Sequence, residues 1–213
     1  MHLTIPVIGI LRGVEASLFK SIMDASFAAG LEAIEVTMNT AGAEEIVADN
    51  ITRVPEGRFL GMGTICCVED AKRAIDAGAM FLVCPNLDTS VIEVAKANNT
   101  PVIAGALTPT EVYTAWSAGA DMIKIFPCGS VGGPQYIKYL RGPFDDIPFI
   151  AVGGVERATL TEYFAAGVSA VGVGNSLFGK EALAQKDIDT LTRNVQEYVD
   201  KAVQAMTLNK PSN

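Results

Sequence analysis

The chain has 213 residues, 49% hydrophobic and 19% charged, with a formal net charge of −8. This is globular composition, long enough to bury a full core. The acidic balance excludes a general nucleic-acid or anionic-membrane binder, which needs clustered Lys and Arg, but allows a small anionic ligand held by a few local donors.

In chain order the apolar, strand-like runs are IPVIGIL (5–11), AAGLEAIEV (28–36), RFLGMG (58–63), DAGAMFLVC (76–84), TPVIAG (100–105), SAGADMIKI (117–125), IPFIAVGG (147–154) and AAGVSAVGV (165–173). Four of them share one plan, in which a helical end and an Ala-Gly step lead into a short β-run. Gly30, Gly78, Gly119 and Gly167 stand at the step, where glycine supplies the left-handed position after a helix. Amphipathic segments follow the runs at 15–29, 41–54, 68–77, 89–97, 109–118, 133–140, 156–166 and 181–206. Strict alternation implies parallel strands joined by right-handed crossovers. Eight such units predict an α/β protein with a (β/α)8 TIM barrel of near-minimal length. A doubly wound open sheet fits less well, because no GxGxxG follows the first strand. No linker interrupts the pattern, so 1–213 reads as a single domain, with 207–213 expected to fray.

The cysteines, Cys66, Cys67, Cys84 and Cys128, form no CxxC, and the lone histidine is His2. That pattern predicts four reduced thiols and no metal cluster. The N-terminus lacks a basic region ahead of its short apolar run and a small-residue cleavage site. No run approaches the ~18 apolar residues of a membrane span. A cytoplasmic protein without a membrane partner is expected.

In a barrel of this kind, function collects where strands end at the C-terminal face. The polar residues fall there: Arg12, Glu35, Thr37, Asn39, Thr64, Pro85-Asn86, Lys124, Gly153-Gly154 and Gly174-Asn175-Ser176. Alternation puts Lys124 on one face with Met122 and Phe126, and Glu35 on one face with Ala33 and Thr37. Ile123, Ile125, Ile34 and Val36 then face the helices. Lys124 is the one lysine inside a strand-like run. A structural ion pair with Glu35 is the competing reading, and such pairs stabilise poorly once desolvation is counted. The chemical reading is a desolvated amine that attacks a carbonyl to give a Schiff base, with a carboxylate to move protons. That is the minimum equipment of a class I aldolase and requires no cofactor. The two adjacent glycine turns, AVGG and VGVGNS, offer amides to a phosphate.

ILRG (10–13), IEVTMNT (34–40), GMGTI (61–65), VCPNL (83–87), AGALTPTE (104–111), IKIFP (123–127), GPQYIK (133–138), AVGGV (151–155) and AVGVGNSLF (170–178) carry a resemblance over nearly the whole chain. The sequence resembles the 2-keto-3-deoxy-6-phosphogluconate / 4-hydroxy-2-oxoglutarate (KDPG/KHG) aldolase family. The resemblance implies Lys124 as Schiff-base lysine and Glu35 as general acid/base. It also implies Thr64 at the substrate carboxylate, and phosphate held by Gly153, Gly154, Gly174, Asn175 and Ser176. Phe126 and Pro127 shape the wall beside the imine, with Pro85 and Asn39 completing the pocket wall. The partners it implies are a phosphorylated 2-keto-3-deoxy sugar acid and pyruvate, in a homotrimer without metal. Two positions depart from the pattern. Asn39 stands where some members carry a carboxylate-binding arginine, so that role passes to Arg12. Asn175 replaces a frequent serine, which leaves open whether Asn175 or Ser176 contacts phosphate. ILRG, the MN of the second strand and GPQYIK also resemble the 6-phosphogalactonate branch, so both epimers stay open. A phosphosugar isomerase or a non-catalytic phosphosugar-binding barrel is the reading from another class.

Overall fold

Helices and strands alternate because the sequence punctuates them at both ends. The computed structural model describes residues 3–208. Eight strands pair in parallel and in sequence order into a closed barrel: β1 (Val7–Leu11), β2 (Ala33–Thr37), β3 (Phe59–Gly63), β4 (Leu82–Val83), β5 (Val102–Ala106), β6 (Met122–Ile125), β7 (Phe149–Val152) and β8 (Ala170–Val173). The expected TIM barrel is therefore the observed one. Gly30, Gly78, Gly119 and Gly167 adopt positive φ of 92°, 89°, 94° and 97° immediately after helix ends. There a Cβ would be strained, so these glycines hand each helix to its strand.

The helices of the outer layer are α1 (Ala16–Ala28), α2 (Ala43–Asn50), α3 (Val68–Asp76), α4 (Thr89–Ala97), α5 (Pro109–Ser117), α6 (Pro134–Arg141) and α7 (Leu160–Ala165). Side chains fix some of their starts. Asp88 accepts the Ser90 amide at 2.9 Å ahead of α4, and Thr108 and Glu111 cap α5 reciprocally with Pro109 in its first turn.

One expected element differs. The segment 181–206 is not a single helix: α8 (Asn175–Phe178), α9 (Lys180–Gln185) and α10 (Ile188–Leu208) succeed one another after β8. Lys186 adopts φ 57° and Asp187 accepts the Thr190 amide at 3.0 Å, which stops one helix and caps the next. α10 runs through Leu208, so 207–208 are helical where fraying was expected. The rest of that tail, and His2, lie outside the described residues.

Two apolar layers result. Ile34, Val36, Ile123 and Ile125 pack outward with the helices. Ile8, Ala33, Phe81, Val83, Ile103, Ile150, Val152 and Ala170 fill the barrel, with Met122 at its margin. Phe81 fits because β3 offers Gly61, where an added Cβ would lie 2.6 Å from the ring. The two layers reproduce the alternation expected for β2 and β6, so Glu35 and Lys124 point inward above a closed apolar floor.

Candidate active site

Lys124 is the third residue of β6 and is 6% exposed. It pairs in register with Gly105 on β5 and Ile150 on β7. Its Nζ lies 5.1 Å from the centre of the Phe126 ring, which sits directly beyond the strand. Phe126 itself is partly exposed and joined to Pro127 by a cis peptide. One wall of the lysine is thus aromatic, as a cation or an iminium would be accommodated.

Glu35 is central in β2 and 2% exposed, with Ile10 and Gly61 as its neighbours in register. Its carboxylate leans over the end of β3, because a Cβ on Gly63 would overlap it. Burial pushes its pKa up to about 7, and the charges of Lys124 and Arg12 pull the other way. A carboxyl poised there both takes and returns a proton near neutrality. Among the described residues no direct Lys124–Glu35 ion pair forms. The Lys124 charge nonetheless acts on Glu35, lowering the pKa that burial raises.

Thr64 follows β3 with φ 60°. A β-branched residue in the left-handed region is strained, and such strain gathers at functional sites. Thr37 and Thr40 share a hydroxyl contact at 3.1 Å, and Thr40 Oγ1 accepts the Gly13 amide at 2.9 Å. This chain fixes the backbone beside Arg12.

The two glycine turns meet around a cavity of about 360 Å³. Gly153, Gly154, Gly174, Asn175 and Ser176 line it, as do Arg12 and Phe126. Gly153 and Gly154 have φ of 87° and 76°. The cavity adjoins the barrel mouth through Phe126, which also faces Lys124. Asn39 is exposed in the turn after β2, and Pro85 is half-buried with its backbone against Gly105. A larger surface depression of about 720 Å³ lies away from all of these, between Arg157 and α10. It is a shallow groove around the Arg157–Glu197 ion pair and brings together none of the mouth residues.

The KDPG and KHG aldolase family model matches residues 2–194 of the sequence. The chain belongs to that family. It is a carbon–carbon lyase of class I, and this retires the isomerase and silent-binder readings. The aldolase is 32% identical over 184 residues to a probable 2-dehydro-3-deoxy-6-phosphogalactonate aldolase from Rhizobium meliloti, covering 86% of each chain. Among solved structures it is similar to one described as native KDPGal, with a TM-score of 0.90 and 29% identity over 97% of this chain and 98% of that one. It is also similar to a KDPG aldolase from Legionella pneumophila holding pyruvate as a covalent carbinolamine intermediate. There the TM-score is 0.84 and identity 25%, over 90% and 92% of the two chains.

Two residues of the aldolase's site escape sequence reasoning. Thr40 acts only through a tertiary hydrogen bond, which no spacing rule reports. Glu156 lines the cavity and accepts the Ser176 hydroxyl at 2.8 Å. Its signal was visible as an acid two residues past the glycine pair after β7.

The cysteines are free thiols. Cys84 and Cys128 are buried, and burial pushes them up to about 12 and about 11. They are packing residues at neutral pH.

Proposed function

We propose that this aldolase cleaves a 2-keto-3-deoxy-6-phosphosugar acid to pyruvate and glyceraldehyde 3-phosphate through a Schiff base on Lys124. The observation carrying this reading is the inward pair, a buried lysine beside Phe126 and a buried carboxyl poised near neutrality across the mouth. The free amine of Lys124 adds to the C2 ketone, and loss of water gives the iminium. Glu35 takes the C4 hydroxyl proton, the C3–C4 bond breaks, and its electrons enter the iminium as an enamine. Glyceraldehyde 3-phosphate leaves. Glu35 returns the proton to C3, and water releases pyruvate from Lys124.

Two anchors orient the substrate so that C4 lies beside Glu35. Thr64 takes the carboxylate end. The turns with Gly153, Gly154, Gly174, Asn175 and Ser176 take the phosphate. Arg12 shares their cavity, which supports moving it from the carboxylate role expected on sequence to the phosphate end. Phe126, Pro127, Pro85 and Asn39 wall the imine.

The preferred substrate on this reading is the phosphogluconate acid, with 4-hydroxy-2-oxoglutarate as a shorter alternative yielding glyoxylate. The phosphogalactonate epimer is the second reading, favoured by the Rhizobium relative and the KDPGal structure. No described helix is long and apolar enough to cross a membrane. A homotrimer in the cytoplasm is the assembly and location proposed, on the family resemblance. Borohydride reduction with pyruvate, followed by peptide mapping, should mark Lys124 alone. A folded protein left unmarked there would defeat the Schiff-base reading.

A further inference from the structure

The cavity between the turns after β7 and β8 carries a charge that a phosphate site does not call for. Glu156 lines it, and its carboxylate accepts the Ser176 hydroxyl proton at 2.8 Å. A serine hydroxyl has one proton to give. While that bond stands, Ser176 presents only lone pairs to an incoming group. Among the described residues lining the cavity, Arg12 is the only cation and Glu156 the only anion. The side-chain charges therefore cancel where a phosphate dianion would profit from an excess of positive charge.

Other groups around Glu156 do not relieve this. Arg157, its neighbour in sequence, is committed to Glu197 of α10. Tyr198 of α10 donates to the Val155 carbonyl at 3.2 Å, and burial first, then the Glu156 charge, raises its pKa. Asn175 and Ser176 are neutral. Glu156 is also the N-cap of the turn at Arg157–Thr159, its backbone carbonyl accepting the Thr159 amide at 2.9 Å, a structural role that must be separated from any effect on ligand.

We propose that Glu156 is a specificity-determining residue. By placing a carboxylate in the distal cavity and occupying the Ser176 proton, it selects substrates whose far end donates a hydrogen bond, a free hydroxyl or a singly protonated phosphate, over a phosphate dianion. The inference rests on the class I aldolase reading and refines its substrate class. A phosphorylated substrate then binds with uptake of a proton above the second phosphate pKa of about 6.

The test compares kcat/KM for a 2-keto-3-deoxy-6-phosphohexonate and its dephosphorylated counterpart, at pH 6 and pH 8, in wild type, Glu156→Gln and Glu156→Thr. The ratio of the two substrates cancels the titration of Glu35, which both share. In wild type the ratio should fall about tenfold from pH 6 to pH 8, through KM and not kcat. Both variants should flatten that dependence and raise the ratio at pH 8 about tenfold. Thr can still cap the turn, so a capping role alone would leave Glu156→Thr with the wild-type ratio. Wild-type ratios in both variants at both pH values would overturn the assignment. Borohydride trapping with pyruvate separates the two failures. A marked Lys124 with unchanged ratios defeats only the role of Glu156, whereas an unmarked wild-type Lys124 defeats the aldolase reading and this inference with it.

Discussion

Glu35 and Lys124 were legible as residues because strand alternation is a strict period of two, and a charge that breaks an apolar run must either face the barrel or be stranded among the helices. The neutral-range pKa of Glu35 was not legible, since it depends on how tightly the mouth excludes water. That shift has a cost. The unfolded chain releases this proton near 4.5, and the folded state holds it to about 7. Between those values the native state binds more protons, so stability falls as pH rises through the window and the full cost is present above it. The size is about 3 kcal/mol. Glu35→Gln should therefore raise the melting temperature at pH 8 by several degrees, with the gain vanishing below pH 4.5. The same variant should lose turnover by about 10²- to 10⁴-fold while still forming the pyruvate imine. Thermal scans across pH, beside borohydride trapping, check both halves. A variant that gains no stability at pH 8 would show that Glu35 is ionised there without strain.

At the level of strands and turns, the inner glycines divide into two kinds. A Cβ at Gly63 would run into the end of the Glu35 side chain, whereas a Cβ at Gly105 would run into the backbone of Pro85 and Asn86. A side-chain tip can swing aside, but a packed backbone turn cannot without moving β4. Gly63→Ala should then spare most of the stability and displace the acid/base, keeping imine formation but losing turnover. Gly105→Ala should lose about 1–3 kcal/mol by overpacking. Denaturant melts and single-turnover assays on the two proteins distinguish them, and equal stability losses would contradict the argument. The strands themselves were readable from apolar runs punctuated by Ala-Gly steps. The break at Lys186 and Asp187 was not, because hydrophobic periodicity continues across it and only a left-handed residue and a side-chain cap mark the stop. Arg12 was legible as a strand-end residue, but the cavity it shares with Glu156 was not, for a related reason. Loops have no period, so their side chains can be placed only once the barrel brings strand ends together.

Across the whole molecule, the two ends of β2 separate stability from chemistry. Glu32 precedes the strand at the N-terminal face and is 8% exposed. Its carboxylate accepts the amides of Thr4 at 2.7 Å and Ile5 at 3.1 Å together with the Thr4 hydroxyl, and faces Arg58 at 3.4 Å. Burial alone would raise its pKa, but the Thr4 and Ile5 hydrogen bonds and the Arg58 charge outweigh it and hold the group below its ordinary 4.5. The sign is opposite to that of Glu35. Stability from Glu32 is present above the unfolded value and is lost as pH falls through the depressed folded one. Glu32 ties the entry of β1 to β2 and β3, closing the barrel at the face where residues serve the fold and not the reaction. Glu32→Gln should cost about 1–3 kcal/mol at pH 7 by weakening hydrogen bonds to a charged acceptor. The deficit should shrink as acid protonates the wild-type group, and kcat should stay at the wild-type value throughout. Paired melting curves at pH 7 and below pH 4.5, with turnover measured on the folded variant, test the claim. A kcat loss as large as that of Glu35→Gln would mean that strain at the closed face reaches the mouth, and that β2 does not insulate one end from the other.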